Sequence, residues 1–224
     1  MAVCVRFRGP APLYNRPAMG YESDPRFLTM HALRIKGFAK VDVLVELSAL
    51  PHDHVEMHLA GLQDDGHAMF REARALWQLT PDGRTHHVEC LAADVEASGA
   101  SQQLAGPYGE FLELNERFKA LCGDWQLRDG DPNDHSDGSY DGEVIARLGK
   151  LDAEARPVVG ALGAALARLM PYAPRLETVC QRVTGGETNM FTGVMCGSYH
   201  DVWMELHEDL ILTQGIDRMA EGSF

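Results

Sequence analysis

Trp77-Gln78-Leu79-Thr80-Pro81-Asp82-Gly83-Arg84, read with the Leu62-Gln63-Asp64-Asp65-Gly66 that precedes it, is the stretch on which the fold turns. Residues 76–79 suit the second strand of a hairpin, and residues 68–71 supply a short first strand. Thr80 is an N-cap and Pro81 takes the first helical position, where a missing N–H costs nothing, so a helix opens there. Upstream, Pro51 starts a helix on which Val55, Leu59 and Leu62 fall at i, i+4 and i+7 until Gly66 stops it. Before that, Leu28, Ala32 and Ile35 recur at helical spacing over residues 26–38, with Gly37 near the end, and a second short helix follows over 41–47.

Three helices, a two-stranded wing and a fourth helix, in that order, resemble the winged-helix region of MarR-type bacterial regulators. The resemblance covers about a third of the 224 residues, and its most specific element is the Leu-Thr-Pro-Asp-Gly-Arg run after the wing. It implies a winged helix-turn-helix whose third helix enters the major groove while the wing and flanks meet phosphates. It also implies a homodimer in which the helices after the wing pair or sense a small molecule.

The remaining half reads as all-helical, which makes the fold class mainly α. Phe111, Leu114, Phe118, Leu121 and Trp125 form an amphipathic stripe. A polar loop over 129–142 is predicted to be solvated and mobile. Apolar sequence resumes over 144–170, interrupted at Pro157; Pro171 and Pro174 lead into a helix through Val183, and a last helix runs over 198–213 behind Ser198 as its N-cap. The organisation expected is an extended N-terminal arm over 1–25, a winged-helix domain over 26–100, and a helical ligand-binding or dimerisation domain over 101–224. The arm carries Arg6, Arg8 and Arg16 among four prolines.

Hydrophobic residues make up 45% of the chain and charged residues 24%, an ordinary globular composition. No run approaches the roughly 18 apolar residues that cross a bilayer, and no basic-then-apolar leader opens the chain, so a cytoplasmic protein without membrane partners is expected. Five scattered cysteines without a CxxC pair read as idle thiols.

The net charge of −13 works against a phosphate backbone. Residues 25–100 hold seven basic and eleven acidic side chains, whereas DNA-binding domains are usually basic. The third helix turns Asp53, Met57, Ala60, Gly61 and Asp64 outward and has no Lys or Arg, so counterion release is missing where it should be strongest. The basic residues placed to meet DNA are Arg71 and Arg74 on the wing and Arg34, Lys36 and Lys40 near the first turn. His52, His54, His58 and His67 add charge below about pH 6.5.

In the last helix, Tyr199, Val202, Trp203, Leu206 and Leu210 make a core stripe, beside a second one of His200, Met204, His207 and Ile211. Asn115, Asp124 and Trp125 on the first long helix, with Tyr199, His200, Trp203 and His207 on the last, are candidate lining for a pocket between helices. Satisfied core polar groups are the alternative for the same residues. His54 and His58 share one helix face at metal-ligand spacing but lack a third ligand, and no metal site is expected. The 129–142 loop fails as a calcium site, with Asp134 at its sixth position and Tyr140 at its twelfth. Phosphate-loop, GxSxG and HExxH motifs are absent, and no cofactor is indicated. Three functions stay open: a MarR-type regulator that senses a small molecule, a winged helix without DNA binding that carries a ligand-binding or catalytic helical domain, and an adaptor docking through Met57 and Ala60.

Overall fold

The structure is a computed structural model that describes residues 20–216; most of the expected arm, residues 1–19, lies outside them. It is mainly helical, in the order α1 (Pro25–Lys36), β1 (Phe38–Ala39), α2 (Val41–Ser48), α3 (His52–Asp64), β2 (Ala68–Arg71), β3 (Leu76–Leu79) and α4 (Pro81–Ser98), then α5 (Ser101–Gln126), β4 (Leu127–Arg128), β5 (Asp131–Pro132), α6 (Gly138–Ala165), α7 (Tyr172–Thr184) and α8 (Tyr199–Gln214). Among the described residues no helix is long and apolar enough to cross a membrane.

Local chemistry sets the boundaries in the first half. The Asp24 carboxylate accepts from the amides of Arg26 and Phe27 at 2.9 and 3.0 Å, and Gly37 ends α1 at a φ of 74° that L side chains rarely adopt. Val55, Leu59 and Leu62 of α3 are buried, as their spacing requires. Beyond the expected hairpin, β1 joins the sheet, pairing Phe38 with Gln78 and Ala39 with Trp77, so the strand order is β1-β3-β2 and all neighbours are antiparallel. Two residues are too few to carry a strand period, so β1 has no sequence signature.

Thr80 caps α4 through its hydroxyl, which accepts from the Gly83 amide at 2.9 Å and donates to the Gly66 carbonyl at 2.7 Å. Gly83 is buried where α4 meets the start of β2, and a Cβ there would lie 1.9 Å from the His67 carbonyl oxygen. The Pro-Asp-Gly sequence is thus a contact as well as a helix start.

Three expectations for the second half need correction. The 129–142 segment is exposed but not all loop: Asp129 and Gly130, at φ of 54° and 92°, turn the β4–β5 hairpin, and the Asp137 carboxylate caps α6, which begins at Gly138. Pro157 does not interrupt α6, which runs through it, because tertiary packing of buried Ala155, Val158 and Val159 outweighs one lost hydrogen bond. α6 stops at Ala165, where Leu166 turns extended and bridges to Tyr21, with the Tyr21 amide 3.2 Å from the Ala165 carbonyl and the Ala167 amide 3.0 Å from the Tyr21 carbonyl. The described end of the expected arm therefore docks on the helical half.

α8 sits at the centre. It packs against α1, α4 and α7, and its rings reach α5, where Phe111 and Phe118 lie 5.0 and 4.9 Å from Trp203. Both apolar stripes are used at once, and Glu205, Asp209 and Thr213 are buried with them.

The Gly83→Ala variant is expected to lose about 2–4 kcal/mol of unfolding free energy in urea denaturation, because the added methyl meets backbone that cannot move alone. Thr80→Ala is expected to lose only about 1 kcal/mol.

Candidate functional site

The residues expected to line an interhelical pocket are divided by the structure. Trp203 and Tyr199 are fully buried; the Trp203 indole donates to Asn115 Oδ1 at 2.9 Å and the Tyr199 hydroxyl donates to Asp152 at 3.4 Å. His207 lies 5.3 Å from the Phe111 ring and His200 lies 6.2 Å from that of Phe118. Trp125 packs instead on Phe191 and on His135, at 5.0 and 4.4 Å. Asp124 is half-exposed and pairs with Arg147 at 2.7 Å, outside this group.

The basic residues expected to meet DNA are also divided. Arg34 Nη1 contacts Glu208 at 3.2 Å and Lys36 Nζ contacts Glu205 at 2.5 Å, so both reach α8. Lys40, Arg71 and Arg74 are exposed, the last two around the tip of the β2–β3 hairpin beside Phe70 and Trp77. Asp53, Met57, Ala60 and Asp64 stand exposed on α3. His58 Nδ1 is 3.0 Å from Thr29 Oγ1 with its ring 6.4 Å from that of His54, and among the described residues no group of three or more His, Cys, Asp or Glu is placed to hold a metal ion. Burial pushes the Cys122 thiol up to about 12 and the Cys180 thiol up to about 11, so both stay protonated at neutral pH.

What the fold assembles is a buried polar chain linking α1, α4 and α8. His31 Nδ1 of α1 lies 2.9 Å from His87 Nε2 of α4, and the two rings stack 5.1 Å apart. On its other side, His31 Nε2 lies 3.0 Å from Asp209 Oδ1 of α8, off the N–H direction, so this contact is electrostatic more than a linear hydrogen bond. Arg168, in the turn after α6, donates to Asp209 at 3.3 Å and to the Thr213 hydroxyl at 2.7 Å. Its Nε stands 3.9 Å from Asp94, whose carboxylate accepts from Ser23 at 3.0 Å, and the Tyr172 hydroxyl donates to Asp209 at 3.3 Å. All eight side chains are below 9% exposure, His87 at 1% and Asp209 at 2%.

Burial alone would raise the Asp209 carboxyl; the Arg168 charge and the His31 contact overcome it and hold the group well below the usual carboxylate range. Asp209 is therefore an anion. One of the two rings donates across the 2.9 Å contact between His31 Nδ1 and His87 Nε2, and the buried Nδ1 of His87 has no hydrogen-bond partner among the described residues. Burial, with the His31 and Arg34 charges, pushes His87 down to about 3, so it is neutral at physiological pH. Asp94 is raised by burial against the opposing Ser23 hydrogen bond and Arg168 charge.

A second ionic tie lies along the same seam. Glu205 of α8 receives Lys36 of α1 and, at 2.7 Å, Arg175 of α7, which also donates to Glu46 of α2 at 2.9 Å. Where α4 ends, α5 begins and α8 ends, the seam opens into a cleft of about 680 Å³, walled by Val88, Leu91, Ala92 and Val95 of α4 with Leu212 and Thr213 of α8. Thr213 thus belongs to both the cleft and the buried chain.

None of His31, His87, Asp94, Arg168 or Asp209 carries a motif, and their contacts with one another join residues 41 to 178 positions apart. The available signal is weak: a histidine on the apolar face of α1, and an aspartate beside Val202 at the outer edge of the core stripe of the last helix.

Acid is expected to destabilise the protein in a window set by His87. Its folded value lies below its unfolded one, so from pH 6.5 down to about 3 the unfolded chain takes a proton that the folded chain refuses. The unfolding free energy should fall by about 1.4 kcal/mol per pH unit from this group. In urea titrations across that range, His87→Phe should flatten the slope by about one proton; an unchanged slope would place the sensitivity elsewhere.

No family model, no curated protein and no solved structure matches this chain.

Proposed function

We propose that the chain is a winged-helix regulator of the MarR type, in which the α1–β3 unit is the nucleic-acid-facing part and the α4–α8 seam receives a small-molecule signal. The observation that carries this reading is the helix–strand–helix–helix–hairpin order with the sheet order β1-β3-β2, which leaves α3 and the hairpin tip exposed together. In this reading DNA contact falls to Arg71, Arg74 and Lys40, because α3 presents acids and Arg34 and Lys36 are held by α8. Pairing of two copies doubles those cations. The ligand site is the 680 Å³ cleft, whose Thr213 wall touches the ion network that joins α8 to α1 and α4.

The acidic outer face of α3 favours a second reading, a winged helix that has no DNA partner and serves as scaffold for the helical half. Titration of labelled duplexes, random and upstream-genomic, at low and moderate salt separates the two. The regulator reading expects binding that weakens with salt, and a logarithmic salt slope shallower by about two units per bound copy, about four for a pair, in Arg71→Ala/Arg74→Ala. Absence of salt-dependent binding would overturn it and leave the scaffold.

A further inference from the structure

We infer that the cleft between α4 and the end of α8 binds a small amphiphilic cation, an apolar body carrying one protonated amine. The inference deepens the proposed sensing role and rests on it for its regulatory meaning, whereas the binding itself involves no DNA.

The size and lining set the first half of that chemistry. About 680 Å³ falls in the range of about 300–1,000 Å³ that holds small ligands, and the walls are mostly aliphatic. Leu91 is buried at the base while Val88 stands 64% exposed at the side, so an apolar molecule placed there would cover hydrocarbon now facing water.

The charge comes from three independent features. Glu96 is the one charged residue of the lining; it is exposed and has no ion-pair partner among the described residues. Two helix C-termini converge on the same space, since α4 ends at Ser98 with Gly99 as its cap and α8 ends at Gln214 with Gly215 as its cap, and both glycines line the cleft. Each terminus carries about half a negative charge, and neither last turn contains the Lys or Arg that commonly offsets it. The N-terminus of α5 at Ser101 contributes the opposite sign, one such end against two and a carboxylate. The cleft therefore repels an anion and attracts an amine whose hydrocarbon lies on the aliphatic walls. Thr213 gives occupancy a route inward, because its hydroxyl holds Arg168 against Asp209.

Calorimetric titration of the full chain with n-octylamine, n-octanol and n-octanoate at neutral pH tests this with one tail and three head groups. Octylamine should bind about tenfold more tightly than octanol, the sum expected from one exposed carboxylate and two helix ends, with octanoate weakest. Glu96→Gln should reduce the octylamine preference to the few-fold share of the two helix ends, and Glu96→Lys, at an exposed position, should move the preference toward octanoate. Ala92→Trp, also exposed, should fill the cleft and remove binding of all three. No octylamine binding, equal affinities for the three compounds, or binding that survives Ala92→Trp would overturn the inference. A chain that binds octylamine without binding DNA keeps the site and loses the regulator reading; the reverse result keeps the regulator and loses this ligand.

Discussion

Asp209 is a carboxylate at 2% exposure in the middle of α8, and it stays ionised only because the groups around it arrive from other elements. Taking such a charge out of water costs several kcal/mol, which Coulomb attraction offsets only if the partners are close and the remaining lone pairs are filled. Arg168, His31, Tyr172 and Thr213 do this together, at 3.0 to 3.3 Å for the contacts to the carboxylate itself. Those partners come from the turn after α6 and from α1, α7 and α8. The first half of the chain and the second are therefore held in one arrangement by a requirement of charge satisfaction, beyond the apolar burial that any pair of helices shares.

The same requirement explains where the positive charge of the first half went. A sequence with Arg34, Lys36 and Lys40 near one turn looks as if it offers a basic patch to a polyanion. In the fold, Arg34 and Lys36 turn to Glu208 and Glu205, and the exposed cations that remain near the sheet are Lys40, Arg71 and Arg74. α3 keeps its acids outward, because Val55, Leu59 and Leu62 take the inner face and the helical period leaves Asp53 and Asp64 no other side. Any partner of α3 meets a surface of that sign.

How much of this was legible beforehand follows from the range of the interactions. Caps and periods are local: Gly37, Thr80 and Pro81 mark helix ends because their chemistry acts within four residues, and Val55, Leu59 and Leu62 give the inner face of α3 from spacing alone. The role of Gly83 in contact with His67, the β1 strand borrowed by β3, and the bridge of Tyr21 to Leu166 depend on partners distant in sequence, and none left a periodic trace. The spacing of α8 makes it amphipathic and puts Trp203 and Tyr199 on its core stripe, where both are buried. Part of its polar side, Glu205 and Asp209, is buried as well, since α1, α4 and α7 pack around it, while Asp201 and Glu208 stay half-buried. The aromatic residues picked out for a pocket include that core, while the cleft lies further along α8, at Leu212 to Gly215, where the residues are small and carry no motif.

Asp209 ties α1 and α8 into one cooperative unit, which native-state hydrogen exchange on the full chain can read out. In Asp209→Asn, amides of α1 and α8 should lose protection together relative to the wild type, by about 3–5 kcal/mol of opening free energy, as expected when a buried pair is broken. Loss of protection confined to α8, with α1 unchanged, would contradict it.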